Sequence, residues 1–159
     1  MSDYVLAIDP GNVKSAYILM ERKTLKPVQF GIEENEFLLG LICRLYEIHT
    51  PIGNHIDVVI EKVASYGMAV GETVFETVFW IGRFFEMSSS FRSRSRMYRM
   101  DVKMHLCHSS RAKDANIRQA LIDRFGDVGT VKNPGWFFGF KADIWAAYAL
   151  GVSFVETGN

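Results

Sequence analysis

The chain has 159 residues, of which 48% are hydrophobic and 13% aromatic, a composition that excludes a disordered chain and predicts one globular domain over residues 1–159. The longest apolar run, IWAAYALGVSFV, has 12 residues, which is too short for a membrane span. The net charge is zero, but segment 83–118 carries nine Lys or Arg against three Asp or Glu, so it is +6 and the remainder −6. This basic segment predicts a surface that faces a polyanion.

The first third of the chain predicts three strands and a helix. Strands with short connections are expected at 3–9, 15–21 and 28–32, which favours an antiparallel meander. The stretch NEFLLGLICRLYEIHT then has helical apolar spacing, with Asn35 as the expected N-cap and Pro51 beyond its end. A fourth strand follows in HIDVVIEKV, where consecutive apolar residues indicate burial on both faces.

The second half predicts three helices and one further strand. A helix is expected over 72–87, followed by a polar, basic connection (SSSFRSRSR) and a fifth strand within 97–107 (MYRMDVKMHLC). Two helices follow, one in 111–126 that ends at Gly126 and one from about 141 to 155. The order β-β-β-α-β-α-β-α-α predicts an α/β fold, with a mixed five-stranded sheet flanked by helices.

Three acids occupy comparable places in this arrangement. Asp9 ends the first strand, Glu61 ends the fourth, and Asp143 opens the last helix. If strands one and four are parallel neighbours, these carboxylates converge at one edge of the sheet and need a cation such as Mg²⁺ or Mn²⁺. Each also has a local explanation: Asp9 as a turn residue, Glu61 as a surface charge and Asp143 as a helix-initial acid.

Four stretches together resemble the RuvC-like Holliday-junction resolvases, in the smaller form that bacteriophages carry. They are LAIDPG, VVIEKV, HLCHSSRAKDANIRQALIDRFG and KADIWAAYAL, and they cover most of the chain in the same order. The resemblance implies an RNase H-like fold, a homodimer and divalent-metal-dependent cutting of branched DNA, namely Holliday junctions and related forks.

The resemblance also assigns residues. It makes Asp9, Glu61 and Asp143 the catalytic and metal-binding acids, which would hold two Mg²⁺ (or Mn²⁺) ions per active site and give 5′-phosphate nicks. The family usually has another acid or a histidine three residues before the last aspartate, where this chain has Phe140. Asp114 is the candidate substitute ligand, or else an ordinary first-turn helix acid.

Basic residues of the central segment are the candidate DNA contacts. The resemblance singles out Lys113, at the start of a helix that carries DNA-contacting residues in the family. Arginine forks interleaved with aromatic residues also suit phosphates and unpaired bases, although such a loop is often only a solvated surface. The full set of candidates is Arg92, Arg94, Arg96, Arg99, Arg111, Lys113 and Arg118.

Two apolar segments have open interpretations. The helix over 72–87 has apolar residues on more than one face, so it is either the dimer contact or a buried core helix. The cluster Trp136, Phe137 and Phe138 is either a wedge at the DNA branch point or part of the core.

The remaining signals concern location and alternative functions. The N-terminus lacks signal-peptide features, and Cys43 and Cys107 are interpreted as reduced core thiols, so we expect a cytoplasmic protein, in the host cell if it is phage-encoded. A non-catalytic branched-DNA-binding relative and an RNase H acting on RNA–DNA hybrids remain alternatives. DPGNVKSAY is also similar to the phosphate loop of actin-like and sugar-kinase ATPases, but those need two such domains and this chain supplies one.

Overall fold

The computed structural model describes residues 2–158 and contains a mixed five-stranded sheet. Its strands are β1 (Tyr4–Asp9), β2 (Lys14–Glu21), β3 (Pro27–Glu34), β4 (Ile56–Lys62) and β5 (Ser93–Tyr98). Their spatial order is β3-β2-β1-β4-β5, with β1 to β3 antiparallel and both β4 and β5 parallel to the β1 direction. The predicted meander is therefore confirmed.

Within residues 2–158, five α-helices flank the sheet, which makes this an α/β fold. They are α1 (Asn35–His49), α2 (Glu72–Met87), α3 (Arg99–Cys107), α4 (Asp114–Phe125) and α5 (Ile144–Thr157). Helices α1 and α2 pack on one face of the sheet, and α3, α4 and α5 pack on the other. None of the helices in residues 2–158 combines the length and the apolar character that crossing a membrane demands.

The two central strands are buried on both faces, which explains their continuous apolar runs. In β1, Val5 and Ala7 point to the layer of α3 to α5, while Leu6 and Ile8 point to α1 and α2. In β4, Val59 faces the first of these layers. Because side chains alternate along a strand, these positions also fix the face on which the later residues of β1 and β4 lie.

The prediction for the fifth strand was wrong in position. The strand lies in SRSRMY, which was assigned to a polar connection, and the segment Arg99–Cys107 is helix α3. Strand β5 forms an edge of the sheet, so its alternating polar residues need only partial burial and Met97 alone is a buried hydrophobic. In α3, the apolar residues Val102 and Leu106 are four apart and pack against the core, which is helical spacing. Three helices therefore follow β5, not two.

Two further expectations need correction. Asn35 is the first residue of α1 and not its N-cap, which is Glu34. Cys43 is exposed on α1, and Cys107 is half-buried at the end of α3, so the predicted core position is wrong for Cys43. Both thiols are free.

Helix α2 is not a buried core helix. Its buried residues, Trp80, Ile81 and Phe84, lie in its second half. Phe75, Val78 and Phe79 are between 49% and 64% exposed, and we call these three residues the outer face of α2. The apolar residues of this helix thus form two groups: one packs in the core and the other is exposed.

Asn35 ties down the turn that follows β1. Its side-chain Nδ2 donates to the carbonyl oxygen of Gly11 at 2.9 Å, and its Oδ1 accepts from the Ser15 hydroxyl at 2.6 Å. The Ser15 hydroxyl oxygen in turn accepts from the Gly11 amide at 3.0 Å. A side chain at Gly11 would lie 2.2 Å from the Lys14 carbonyl oxygen, so only glycine fits this turn. The network fixes the backbone immediately after Asp9.

We expect Asn35→Ala to lower the free energy of unfolding by about 1–3 kcal/mol, because it leaves the buried Ser15 hydroxyl and Gly11 carbonyl without their partner. Urea unfolding followed by circular dichroism measures this change. Gln119→Ala is the control, since the Gln119 side-chain amide donates to Asp123 on the exposed side of α4, and we expect a change below about 0.5 kcal/mol. Equal effects of both substitutions would contradict the assigned role of the network.

Candidate active site

Asp9 and Glu61 lie side by side at the carboxyl ends of two parallel strands. The β1–β4 register pairs Ile8 with Ile60, and Asp9 and Glu61 are the next residues of each strand. By alternation, Asp9 shares the face of Ala7 and Glu61 shares the face of Val59, so both point toward the layer of α3 to α5. The expected adjacency of strands one and four is confirmed, and it aims two carboxylates at the same point.

Asp143 comes to this point from the start of α5. It is the N-cap residue of the helix, and its carboxylate makes no capping hydrogen bond. The preceding residue, Ala142, has φ 43°, a left-handed conformation that is unfavourable for a residue with a side chain and common at functional sites. The expected start of this helix near Lys141 was therefore three residues early, although its first acid is the one predicted.

The aromatic segment before Asp143 is mostly core. Phe137 is fully buried, and Trp136 stacks on Phe125 with 5.3 Å between ring centroids. Phe138 is 42% exposed. Phe140, at the position where the resembling family has another ligand, is buried and packs edge-on against Trp145. The side chain at this position holds the segment to the core and offers no ligand atom.

The charges of these acids interact strongly. Burial, and then the neighbouring carboxylates of Glu61 and Asp143, raise the pKa of Asp9 from its ordinary value of 3.8 to about 8. Burial also raises the pKa of Glu61, and the Arg99 guanidinium opposes that shift. Perturbed carboxyl groups that gather in one place are typical of functional sites.

Arg99 lies among the acids. Its Nη1 donates to Oε2 of Glu61 at 3.2 Å and lies 3.5 Å from Oε1, while its Nη2 donates to Oδ1 of Asp114. Arg99 was predicted to contact DNA, and its pairing with Glu61 was not predicted because the first turn of α3 was assigned to a strand. The signal available was the position of Arg99, one residue beyond the end of β5.

Asp114 reaches the cluster through Arg99. It is the first residue of α4, its side chain is 81% exposed, and its hydrogen bond is to the guanidinium. Its negative charge contributes to the raised pKa of both Asp9 and Glu61. Asp114 is thus near the site, as expected of a substitute ligand, but held by a cation of the protein itself.

The donor chemistry at this site fits a hard divalent cation. Carboxylate oxygens are the ligands that Mg²⁺ and Mn²⁺ prefer. A cation would also relieve the repulsion from Glu61 and Asp143, which after burial is the next cause of the raised pKa of Asp9. Within residues 2–158, however, no three His, Cys, Asp or Glu side chains form a ready-made metal-binding group. The acids therefore interact through their charges without forming a closed ligand set.

Three of the other predicted DNA-contacting residues lie on α4 or just before it, and this helix begins at Asp114. Arg111 and Lys113 precede α4, and the guanidinium of Arg118 lies 4.6 Å from the ring centroid of Trp145. Trp145 lines a small cleft of about 40 Å³ together with Arg99, Asp114 and Asp143. Lys62, the next basic residue after Glu61 on β4, lies by the same alternation on the opposite face of the sheet, 4.4 Å from the ring centroid of Tyr98.

The structure separates the other three arginines from the acids. Arg94 and Arg96 lie over the ring of Phe85 of α2, so they occupy the opposite face of the sheet from Glu61. Arg92 precedes Ser93, which pairs with Asp57 at the amino end of β4. Because β4 rises about 3.3 Å per residue, this end is remote from the carboxylates.

The fold of this chain is similar to that of solved structures of RuvC and of a yeast mitochondrial Holliday junction resolvase. The Thermus thermophilus RuvC structure matches with a TM-score of 0.67 and 15% identity, covering 98% of this chain and 96% of that one. T. thermophilus RuvC in complex with a Holliday junction substrate matches at a TM-score of 0.60 with the same identity and coverage. The yeast mitochondrial Holliday junction resolvase Ydc2 matches at 0.59 and 12% identity, over 97% of this chain and 78% of that one.

No family model and no curated protein matches the sequence. At identities of 12–15%, the structural likeness shows the fold. The chain therefore has the RuvC-like form of the RNase H-like fold, and this part of the predicted resemblance is confirmed.

The raised pKa of Asp9 predicts how the stability of the metal-free protein changes with pH. A carboxyl group with a higher pKa in the folded state stabilises the fold fully below its unfolded pKa, and this contribution is lost as the pH rises toward 8. Asn cannot ionise, so we expect Asp9→Asn to be more stable than wild type in chelator by roughly 1–3 kcal/mol at pH 8 and by much less near pH 4.

Urea unfolding of both proteins at the two pH values measures this difference. Asp123→Asn, on the exposed side of α4, is the matched control and should not show it. A stability difference between wild type and Asp9→Asn that is the same at both pH values would contradict the assigned environment of Asp9.

Proposed function

We propose that this protein is a structure-selective endonuclease that cuts branched DNA, such as Holliday junctions and forks, with divalent metal ions. The observation that carries the proposal is the convergence of Asp9, Glu61 and Asp143 at the carboxyl ends of β1 and β4. Carboxylates that repel each other in this way are stabilised in their charged form when a cation binds between them. The RuvC-like fold supports branched DNA as the substrate, since the matched T. thermophilus structure is described with a Holliday junction.

The chain's own residues would divide the work as follows. Asp9 and Glu61 lie at the ends of two buried strands, and Asp143 is the N-cap residue of α5. Together these three carboxylates would bind Mg²⁺ or Mn²⁺, two ions per site. Such ions, when bound, activate a water for in-line attack on a phosphodiester and stabilise the departing 3′ oxygen. The expected products are nicks with 5′-phosphates that can be ligated. Lys113, Arg111 and Arg118 would bind phosphates beside the cleft.

A homodimer suits this function, because a four-way junction has two strands to cut symmetrically and a two-fold protein presents two sites. The outer face of α2 supports a contact between copies. Its aromatic and aliphatic side chains are about half exposed or more, and they lie on a regular helix. Exposed apolar patches on a helix commonly mark protein interfaces.

A second candidate function is branched-DNA binding without cleavage. It is favoured by the lack of a ready-made three-acid metal group within residues 2–158 and by the buried Phe140 in place of a ligand. An RNase H acting on RNA–DNA hybrids would use the same arrangement of acids. The substrates and metals in one cleavage experiment separate all three.

We expect paired, symmetric nicks in a labelled four-way DNA junction incubated with Mg²⁺ or Mn²⁺, and none in a linear duplex of the same arm sequence. Asp9→Asn and Asp143→Asn should each lower the cleavage rate by at least about 100-fold, because each removes a carboxylate that holds the metal. Gel analysis of the labelled strands measures the rates. Asp123→Asn is the matched control and should cut normally.

Each other result selects an alternative. Junction binding without cleavage under Mg²⁺ and Mn²⁺ would establish the non-catalytic function. Cleavage of an RNA–DNA hybrid in preference to the junction would establish the RNase H function. Equal affinity for junction and duplex, without cleavage of either, would reject the proposal.

The position of the basic residues predicts which of them bind DNA. We expect Lys113→Ala to weaken junction binding in chelator and to reduce the slope of log K against log salt by about 1, the effect of one lost phosphate contact. Arg92→Ala should change neither, because Arg92 lies at the far end of the sheet. Fluorescence anisotropy across a salt series measures both. A larger effect of Arg92→Ala would show that DNA crosses the opposite end of the sheet.

A further inference from the structure

Arg99 is the positive group that the protein itself supplies to its acids. Within residues 2–158, it is the only cationic side chain hydrogen-bonded to Asp9, Glu61, Asp114 or Asp143. The Arg99 side chain is 31% exposed, and its guanidinium contacts the carboxylate of Glu61, whose side chain is 14% exposed. It enters from α3, whose first residue it is, so it is not part of the strand ends that carry the acids.

The contacts of Arg99 overlap those that a metal ion would make. Its Nη1 lies within 3.5 Å of both carboxylate oxygens of Glu61, so an ion bound to Glu61 would lie beside a guanidinium of the same charge sign. Arg99 also has a second carboxylate partner, Asp114, which it could keep if it released Glu61. Asp114 lies on α4, is 81% exposed, and already accepts a hydrogen bond from the other terminal nitrogen.

We propose that Arg99 is a displaceable counter-cation that competes with the divalent metal for Glu61. It neutralises Glu61 when no metal is bound, and it gives up Glu61 and keeps Asp114 when a metal binds. Asp114 is then the anchor of Arg99 and not a fourth metal ligand. This inference rests on the proposed function to the extent that the carboxylates bind a divalent cation.

The competition can be measured without any cleavage reaction. Isothermal titration of the full chain with Mn²⁺, at one pH and without DNA, gives the dissociation constant. We expect Arg99→Gln to bind Mn²⁺ roughly fivefold to tenfold more tightly than wild type, because the competing charge is gone. Arg83→Gln is the matched control: Arg83 pairs with Glu36 and is remote from the acids, so its affinity should equal that of wild type.

A double variant distinguishes an anchor from a ligand. If Asp114 only anchors Arg99, Arg99→Gln combined with Asp114→Asn should bind Mn²⁺ within about threefold of Arg99→Gln alone. If Asp114 ligates the metal, the double variant should lose most of the affinity. If Arg99→Gln does not fold, Arg99→Lys replaces it, since an ammonium keeps the charge but loses the two-pronged contact and should give an intermediate gain.

The outcomes separate this inference from the proposed function. Unchanged or weaker Mn²⁺ binding by Arg99→Gln, with binding abolished by Asp9→Asn, overturns the competition and leaves the metal site intact. Loss of most of the affinity in the double variant overturns the anchor role of Asp114. No Mn²⁺ binding by wild type and by Arg99→Gln overturns both the competition and the metal-dependent function.

Discussion

The parallel pairing of β1 with β4 is the constraint on which the site depends. Because the two strands run in the same direction and Ile8 pairs with Ile60, their next residues are adjacent at one edge of the sheet. Both strands are fully buried in their middle, so a slip by one residue would turn each side chain to the opposite face and mismatch its packing against the helices. The same burial that stabilises the sheet therefore fixes Asp9 beside Glu61 and withdraws both from water, which is the first cause of their raised pKa values.

This arrangement is electrostatically unfavourable unless positive charge is present. A fold that places several carboxylates together loses stability as they ionise, because their charges repel each other, unless a cation neutralises them. Among residues 2–158, the cation that is paired with these acids is Arg99, which bonds to Glu61 and Asp114. Within the described residues, no cation is hydrogen-bonded to Asp9 or Asp143, although the Arg99 charge also acts to lower the pKa of Asp9. The need for a further positive charge is therefore greatest on their side of the cluster.

The sequence predicted the central features for a physical reason. Consecutive apolar residues before Asp9 and Glu61 can be satisfied only in strands covered on both faces, and such strands lie in the middle of an α/β sheet. Edge strand β5 lacks such a run of apolar residues. Its alternating serines and arginines resemble a polar loop as long as the neighbouring strand is unknown. Arg99 was misjudged as a consequence, since its partner depended on where that strand ended. The role of Asn35 depended on the packing of a distant turn, which no local pattern reports.

The sheet separates two kinds of surface, and this separation bears on how DNA would approach. The acids, Lys113 and Arg118 lie on the side of α3 to α5, whereas Arg94 and Arg96 lie over Phe85 on the side of α2. A phosphate beside Asp9 and Glu61 would therefore meet the start of α4, whose backbone amides and basic residues favour anions. The outer face of α2 lies on the opposite side of the sheet, so it is not needed for phosphate binding beside the acids. Cleavage chemistry and a contact with a second copy would thus use different faces of one sheet, so neither would obstruct the other.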